Sequence, residues 1–156
     1  MTVEQRILRE EAGSDLLTLA RRYAAGDWPC EARFDPARRW YARLGAADDH
    51  EAWLLTWLPG QRTDLHDHGG SAGAFTVVSG ALTEETVVDG WLRPRVLPGG
   101  AGRSFGSRHV HRVGNRGTGP AVSVHVYRPA LARMTRYELA AGRLRPVEVA
   151  TAGVAW

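Results

Sequence analysis

From Trp40 to Leu139 the chain is a series of short β-prone runs, each stopped by glycine, proline or a cluster of polar turn formers. The runs cover Trp40 to Leu44, Glu51 to Leu58, Asp64 to His68, Ala74 to Val78, Ala81 to Val88, Trp91 to Leu97, Gly102 to Phe105, His109 to Val113, Ala121 to Tyr127 and Met134 to Leu139. Val147 to Val149 offers a further edge strand. Runs this short cannot stand alone, because each buries a face only when another layer covers it. The pattern predicts a mainly β fold, a closed barrel or a sandwich, and a jelly roll of roughly eight or more strands fits it best.

The amino-terminal grammar differs. From Val3 to Ala25 the apolar residues Ile7, Leu8, Leu16, Leu17, Leu19, Ala20 and Tyr23 recur at helical spacing, broken at Gly13-Ser14-Asp15, where Ser14 or Asp15 suits a helix cap. Asp35-Pro36 suits the start of another short helical turn. A helical prelude over residues 1–35 and a β-barrel over 40–150 are expected to form one domain spanning 1–156, with no internal repeat and no low-complexity linker.

Composition narrows the functional classes. All 20 basic residues are arginine, the net charge is only +3, and the arginines are spread along the chain without a basic patch, so nucleic acid is not an expected partner. Cys30 is the only cysteine, which rules out an intrachain disulfide and suits a reducing compartment; it reads as a small, partly buried apolar residue. The amino terminus has no uninterrupted apolar stretch, and nothing approaches the ~20 apolar residues of a membrane span. A cytoplasmic monomer without membrane contact is expected.

The chemistry concentrates in His66-Asp67-His68. Side chains at i and i+2 of a strand project from one face, so both imidazoles can converge on one metal ion. Gly60, five residues, His66, one residue, His68, four residues, Gly73, six residues, Gly80 follows the first cupin motif, in which glycines close hairpin turns and histidines line a barrel. Gly73 stands where that motif carries a glutamate. His111, three residues before Asn115, matches the end of the second cupin motif and is the third expected ligand. His109-Val110-His111 is a second such pair, and by geometry alone either histidine could ligate; the interval to Asn115 favours His111, leaving His109 to line the mouth or hydrogen-bond behind the ligands. His50, in a charged run, reads as a solvated loop residue. The expected fold is a cupin jelly-roll barrel with a short N-terminal helical segment. Three imidazoles accept several divalent ions, so the residues alone do not choose between iron, zinc, nickel and manganese. Ser123, His125 and Tyr127 alternate along one expected strand and can face inward together.

These histidines, with His111-Arg112-Val113-Gly114-Asn115 and the run from Pro120 to Pro129, resemble the cysteine dioxygenases, cupin thiol dioxygenases, over most of the chain from Tyr41 onward. The resemblance implies a mononuclear Fe(II) on His66, His68 and His111, with L-cysteine and O2 as substrates and cysteine sulfinic acid as product. It implies a relay of Ser123, His125 and Tyr127 beside the substrate. Tyr41-Ala42-Arg43 resembles the family's Tyr-x-Arg segment, which makes Arg43 the expected carboxylate anchor and Tyr41 an orienting hydroxyl; a guanidinium offers the forked geometry a carboxylate accepts. Dioxygenases of 3-mercaptopropionate resemble the chain too, but carry Gln where the Arg lies, so Arg43 favours cysteine; dioxygenation of another small thiol, such as 3-mercaptopropionate or cysteamine, is the alternative enzymatic reading. A non-catalytic cupin that senses a metal or metabolite is the alternative from another class. Animal members join the inner tyrosine to a cysteine at the position of Gly73, so no such thioether can form here. Trp57 resembles a tryptophan packed near the relay, and a core aromatic accounts for it equally well.

Overall fold

The computed structural model describes residues 15–151. A helix, α1, runs over residues 15–25, followed by β1 Trp40–Ala46, β2 Glu51–Trp57, β3 Leu65–His66, β4 Ala72–Ser79, β5 Ala81–Val88, β6 Trp91–Pro98, β7 Gly102–Phe105, β8 Arg112–Gly114, β9 Ala121–Arg128, β10 Arg133–Ala140 and β11 Arg143–Thr151. The strands form one five-stranded sheet, β1-β2-β9-β4-β7, and two three-stranded sheets, β11-β10-β3 and β6-β5-β8. The smaller sheets meet at a bridge between His66 and His111, whose backbones exchange N–H···O bonds of 3.0 and 3.1 Å. They thus make a second layer facing the first, and the whole is the cupin jelly roll. Its layers do not close into one hydrogen-bonded cylinder among the described residues.

Strand alternation decides what each layer presents to the interior. Along β9, Val122, Val124 and Val126 face outward beneath α1 and the segment after it, while Ser123, His125 and Tyr127 face inward. Leu16 and Ala20 of α1 pack on Ala52, Ala74 and Val126, covering the outer side of the large sheet. The interior core gathers Trp57, Phe75, Val77, Leu82, Leu97, Phe105 and Val113 between the layers. Gly80 closes the β4–β5 turn with φ 73°, and a Cβ there would lie 2.4 Å from the Pro120 carbonyl oxygen, so both torsion and space require glycine.

Two expectations are corrected. Among the described residues the prelude is helical over 15–25, and residues 26–39 run irregularly to β1. Two carbonyls of that segment bond to the body of the fold: Arg33 O accepts from Thr56 Oγ1 on β2, and Asp35 O accepts from Gln61 Nε2 in the loop after β2 at 2.7 Å. Asp35-Pro36 makes a turn, with Ala37 N bonded to Asp35 Oδ1 at 2.8 Å, and no helix. Ile7, Leu8 and Ser14 lie outside the described residues. No helix among the described residues is long and apolar enough to cross a membrane.

Candidate metal centre and active-site cavity

His66, His68 and His111 are all buried, and their ring centroids stand 4.8 to 4.9 Å apart in a near-equilateral triangle. One strand does not supply the first pair as regular alternation would. β3 ends at His66, and Asp67 takes over the ladder: its N–H donates to Thr135 O at 2.9 Å, while its carboxylate accepts from Thr135 N, Gly69 N and the Tyr137 hydroxyl. His68 then turns inward ahead of the Gly69-Gly70 turn. The register of the ring-bearing residues survives although the strand does not.

The partners of the outer nitrogens decide which atoms face inward. His66 Nδ1 donates to Asp64 O at 2.7 Å and His111 Nδ1 to Glu84 Oε2 at 2.8 Å, which frees both Nε2 atoms as donors of a lone pair. Neither nitrogen of His68 has a hydrogen-bond partner, although both are buried. Burial, followed by mutual repulsion among the imidazoles, pushes the pKa values of His66 and His68 well below the ordinary value; burial also lowers His111, against the opposing Glu84 hydrogen bond. The rings are therefore neutral at neutral pH. Neutral imidazoles with free lone pairs, whose ligand atoms lie within 4.8 Å of one another, and a buried orphan pair on His68, fit one divalent ion.

Gly73 explains the missing fourth ligand sterically. In the sheet it lies between Tyr127 and Phe105, and a Cβ on it would come within 2.6 Å of the Phe105 ring and 3.0 Å of Val126 O. Phe105 fills the space a glutamate would need and stacks on His68 at 4.5 Å. Sequence reasoning missed Phe105 and Glu84, since a core aromatic and an acid in a Glu-Glu pair carry no spacing signal. His109 is not turned toward the triangle: its Nε2 lies 3.2 Å from Glu84 Oε2 and its ring stacks on Phe105.

On β9 the structure brings the expected trio together and adds a fourth member. Trp57 Nε1 donates to Ser123 Oγ at 2.9 Å, Ser123 Oγ bonds His125 Nε2 at 2.8 Å, and His125 Nδ1 lies 3.4 Å from the Tyr127 hydroxyl. Indole is a donor only, so Ser123 is free to donate onward to Nε2. In that arrangement His125 carries its proton on Nδ1, gives it to the Tyr127 oxygen, and leaves the tyrosine O–H free. Burial, with the charges of His111 and Arg39, pushes His125 down to about 3, and burial raises the Tyr127 phenol; both stay neutral near pH 7.

His66, His111, His125 and Tyr127 line one cavity of about 110 Å³, closed further by Tyr41, Trp53, Leu55, Leu131 and Met134. His68 lies behind this lining. Three guanidinium groups reach the cavity. Arg136 is held by Glu148 at 3.0 Å, and Arg62 is exposed. Arg39 is half-buried, lies 5.3 Å over the Trp57 ring and makes no salt bridge with a described residue. The structure does not bring Arg43 to the cavity. It is exposed, beside a bulge between Arg43 and Gly45 and opposite Trp53, whose indole occupies the wall there. Arg39 and Tyr41, two residues apart on the same face, stand in the lining instead.

The profile of the family described as cysteine dioxygenase type I matches residues 7–140. No protein among those with curated descriptions matches significantly. Among solved structures, the chain is similar to the protein TT1209 from Thermus thermophilus, at 22% identity over 64% of this chain and 90% of that one, with a TM-score of 0.57. A protein with a double-stranded β-helix domain from Klebsiella pneumoniae aligns at 20% identity over 74% of this chain and 90% of its own, TM-score 0.55. A putative sugar phosphate isomerase from Acidithiobacillus ferrooxidans gives 20% identity, 70% and 75% coverage and a TM-score of 0.54. At these identities the structural likeness establishes the fold alone.

Proposed function

The chain belongs to the cysteine dioxygenase type I family, and from that premise we propose that it is an Fe(II)-dependent thiol dioxygenase that oxidises L-cysteine with O2 to cysteine sulfinate, both oxygen atoms entering the product. The balance is one thiolate and one O2 giving one sulfinate, with no further reductant. The observation that carries the reading is the convergence on one cavity of the three-histidine centre, the Tyr127 relay and an uncommitted guanidinium.

His66, His68 and His111 would hold the ferrous ion, which would supply the redox chemistry that lets O2 react with a thiolate. The chain's residues do the rest. Arg39 takes the substrate carboxylate in two parallel N–H···O bonds, the anchoring role that the sequence resemblance gave to Arg43. Tyr41 borders the same end. Tyr127, kept protonated by burial, offers its free O–H to the reacting oxygen atoms, and the Trp57–Ser123–His125 chain holds that hydroxyl in place without a cross-link. Phe105, Leu55 and Leu131 keep the surroundings dry.

Oxygen uptake by iron-loaded protein with cysteine, cysteamine and 3-mercaptopropionate tests the reading. Cysteine should be turned over stoichiometrically to sulfinate, with Tyr127→Phe slowing turnover by about 10²-fold or more while one iron per chain is retained. Equal rates with cysteamine would remove the carboxylate anchor, and no sulfinate from any thiol would leave a metal-binding cupin without this activity.

A further inference from the structure

We propose that Glu84 is the positioning residue of the metal centre: anchored by Arg103, its carboxylate fixes His111 with Nδ1 protonated and Nε2 free, and supplies through that imidazole the negative charge that the ligand set lacks at Gly73. The inference rests on reading His66, His68 and His111 as ligands of one ion.

Glu84 is almost fully buried, at 1% exposure, on β5, one of the strands of the layer that carries His111. Both of its oxygens are engaged. Oε2 accepts from His111 Nδ1 at 2.8 Å and from His109 Nε2 at 3.2 Å, while Oε1 lies 2.6 Å from Arg103 Nε. A carboxylate placed only to pair β5 with β7 would need Arg103 alone. Instead its shorter imidazole bond goes to the one histidine of that pair whose other nitrogen faces the triangle. The three ligands are not treated alike: His66 leans on a backbone carbonyl, His68 on nothing, and only His111 on an ionised group.

A carboxylate entering from position 73 would displace Phe105, which stacks on both His68 and His109. Neutral imidazoles alone leave the full charge of the ion uncompensated inside a buried shell. A carboxylate behind one imidazole raises the basicity of that ligand and spreads negative charge toward the ion without occupying a coordination position. Those positions remain for substrate. Oε2 accepts from both histidines and Oε1 faces Arg103 across 2.6 Å, an arrangement that suits an ionised carboxylate. His109 thus has a place in the site as a second donor to Glu84 and not as a ligand.

Titrating metal-free protein with Co(II), read by its visible absorption and by chelator competition, tests the role. Wild type should bind one Co(II) per chain; Glu84→Gln, which keeps an acceptor but loses the charge, and Glu84→Ala should bind about 10- to 100-fold more weakly, with altered absorption bands. A salt bridge of purely structural role would lower the melting temperature of these variants and leave Co(II) affinity and spectrum unchanged; that result overturns the proposal. Should neither variant fold, nitrogen-15 correlation spectra of the zinc-loaded wild type decide: a proton on His111 Nδ1 with Nε2 bound supports it, and binding through Nδ1 overturns it. Wild type that binds no Co(II) or Zn(II) would overturn the metal centre and this inference together, whereas wild-type binding with unchanged Glu84 variants overturns this inference alone.

Discussion

A guanidinium stacked on an indole, with no salt bridge to a described residue, suits an anionic ligand, and that describes Arg39. Arg39→Ala should lower kcat/KM for cysteine by about 30-fold or more, the loss expected when one partner of a desolvated ion pair is removed, roughly 2 kcal/mol or more. Arg43→Ala should leave it within about twofold, since surface substitutions are usually small in effect. Steady-state rates for the two variants check this, and the reverse order would return the anchor to Arg43. Gly73→Cys tests the packing behind the relay. Its Cβ must push aside Phe105 or the Val126 backbone, so unfolding in urea should show a loss of about 1–3 kcal/mol. At this scale the sequence made the ligands legible through spacing and the relay through alternation. Arg43 followed from the Tyr-x-Arg resemblance, and spacing alone could not show that the bulge after Arg43 and the position of Trp53 on the neighbouring strand leave it outside the cavity while Arg39, just before β1, lines it.

β9 shows how one element serves two sides of the molecule. Its valines anchor α1 on one face while Ser123, His125 and Tyr127 build the site on the other, so the helix supports the relay without touching it. Leu16→Ala should cost about 2–5 kcal/mol by leaving a hole over Ala52, Ala74 and Val126. Urea unfolding should report that loss while metal stoichiometry stays at one per chain; loss of binding in the folded variant would show that α1 shapes the site directly. Strand existence was readable from punctuation: β5 and β7 begin and end where the runs of sequence do. The shortness of β3 was not, because what ends it is a set of long-range bonds from Asp67 to Thr135 and Tyr137 on β10. Nor was the irregular course of residues 26–39, which follows carbonyl partners on Thr56 and Gln61.

Across the whole molecule, the two layers of the jelly roll enclose imidazoles that are easily protonated in water and resist protonation when buried. That conflict makes stability depend on pH. His125 has an ordinary value of 6.5 and is held at about 3 in the folded chain. Above pH 6.5 both folded and unfolded chains keep it neutral, and its contribution to stability is fully present. As the pH falls from 6.5 toward 3 the unfolded chain takes up a proton that the folded one refuses, so stability is lost at roughly 1 kcal/mol per pH unit for this group. The ligand histidines, shifted the same way, add to the slope in metal-free protein. His125→Gln removes one titrating group, and although it also weakens the relay at every pH, its stability should fall less steeply between about pH 6.5 and about pH 4.5, by close to one proton. Urea unfolding of metal-free wild type and variant across that range measures the two slopes. Equal slopes would mean that His125 is already protonated in the folded chain, and Ser123 could then no longer donate to Nε2, which removes the basis for a free Tyr127 hydroxyl.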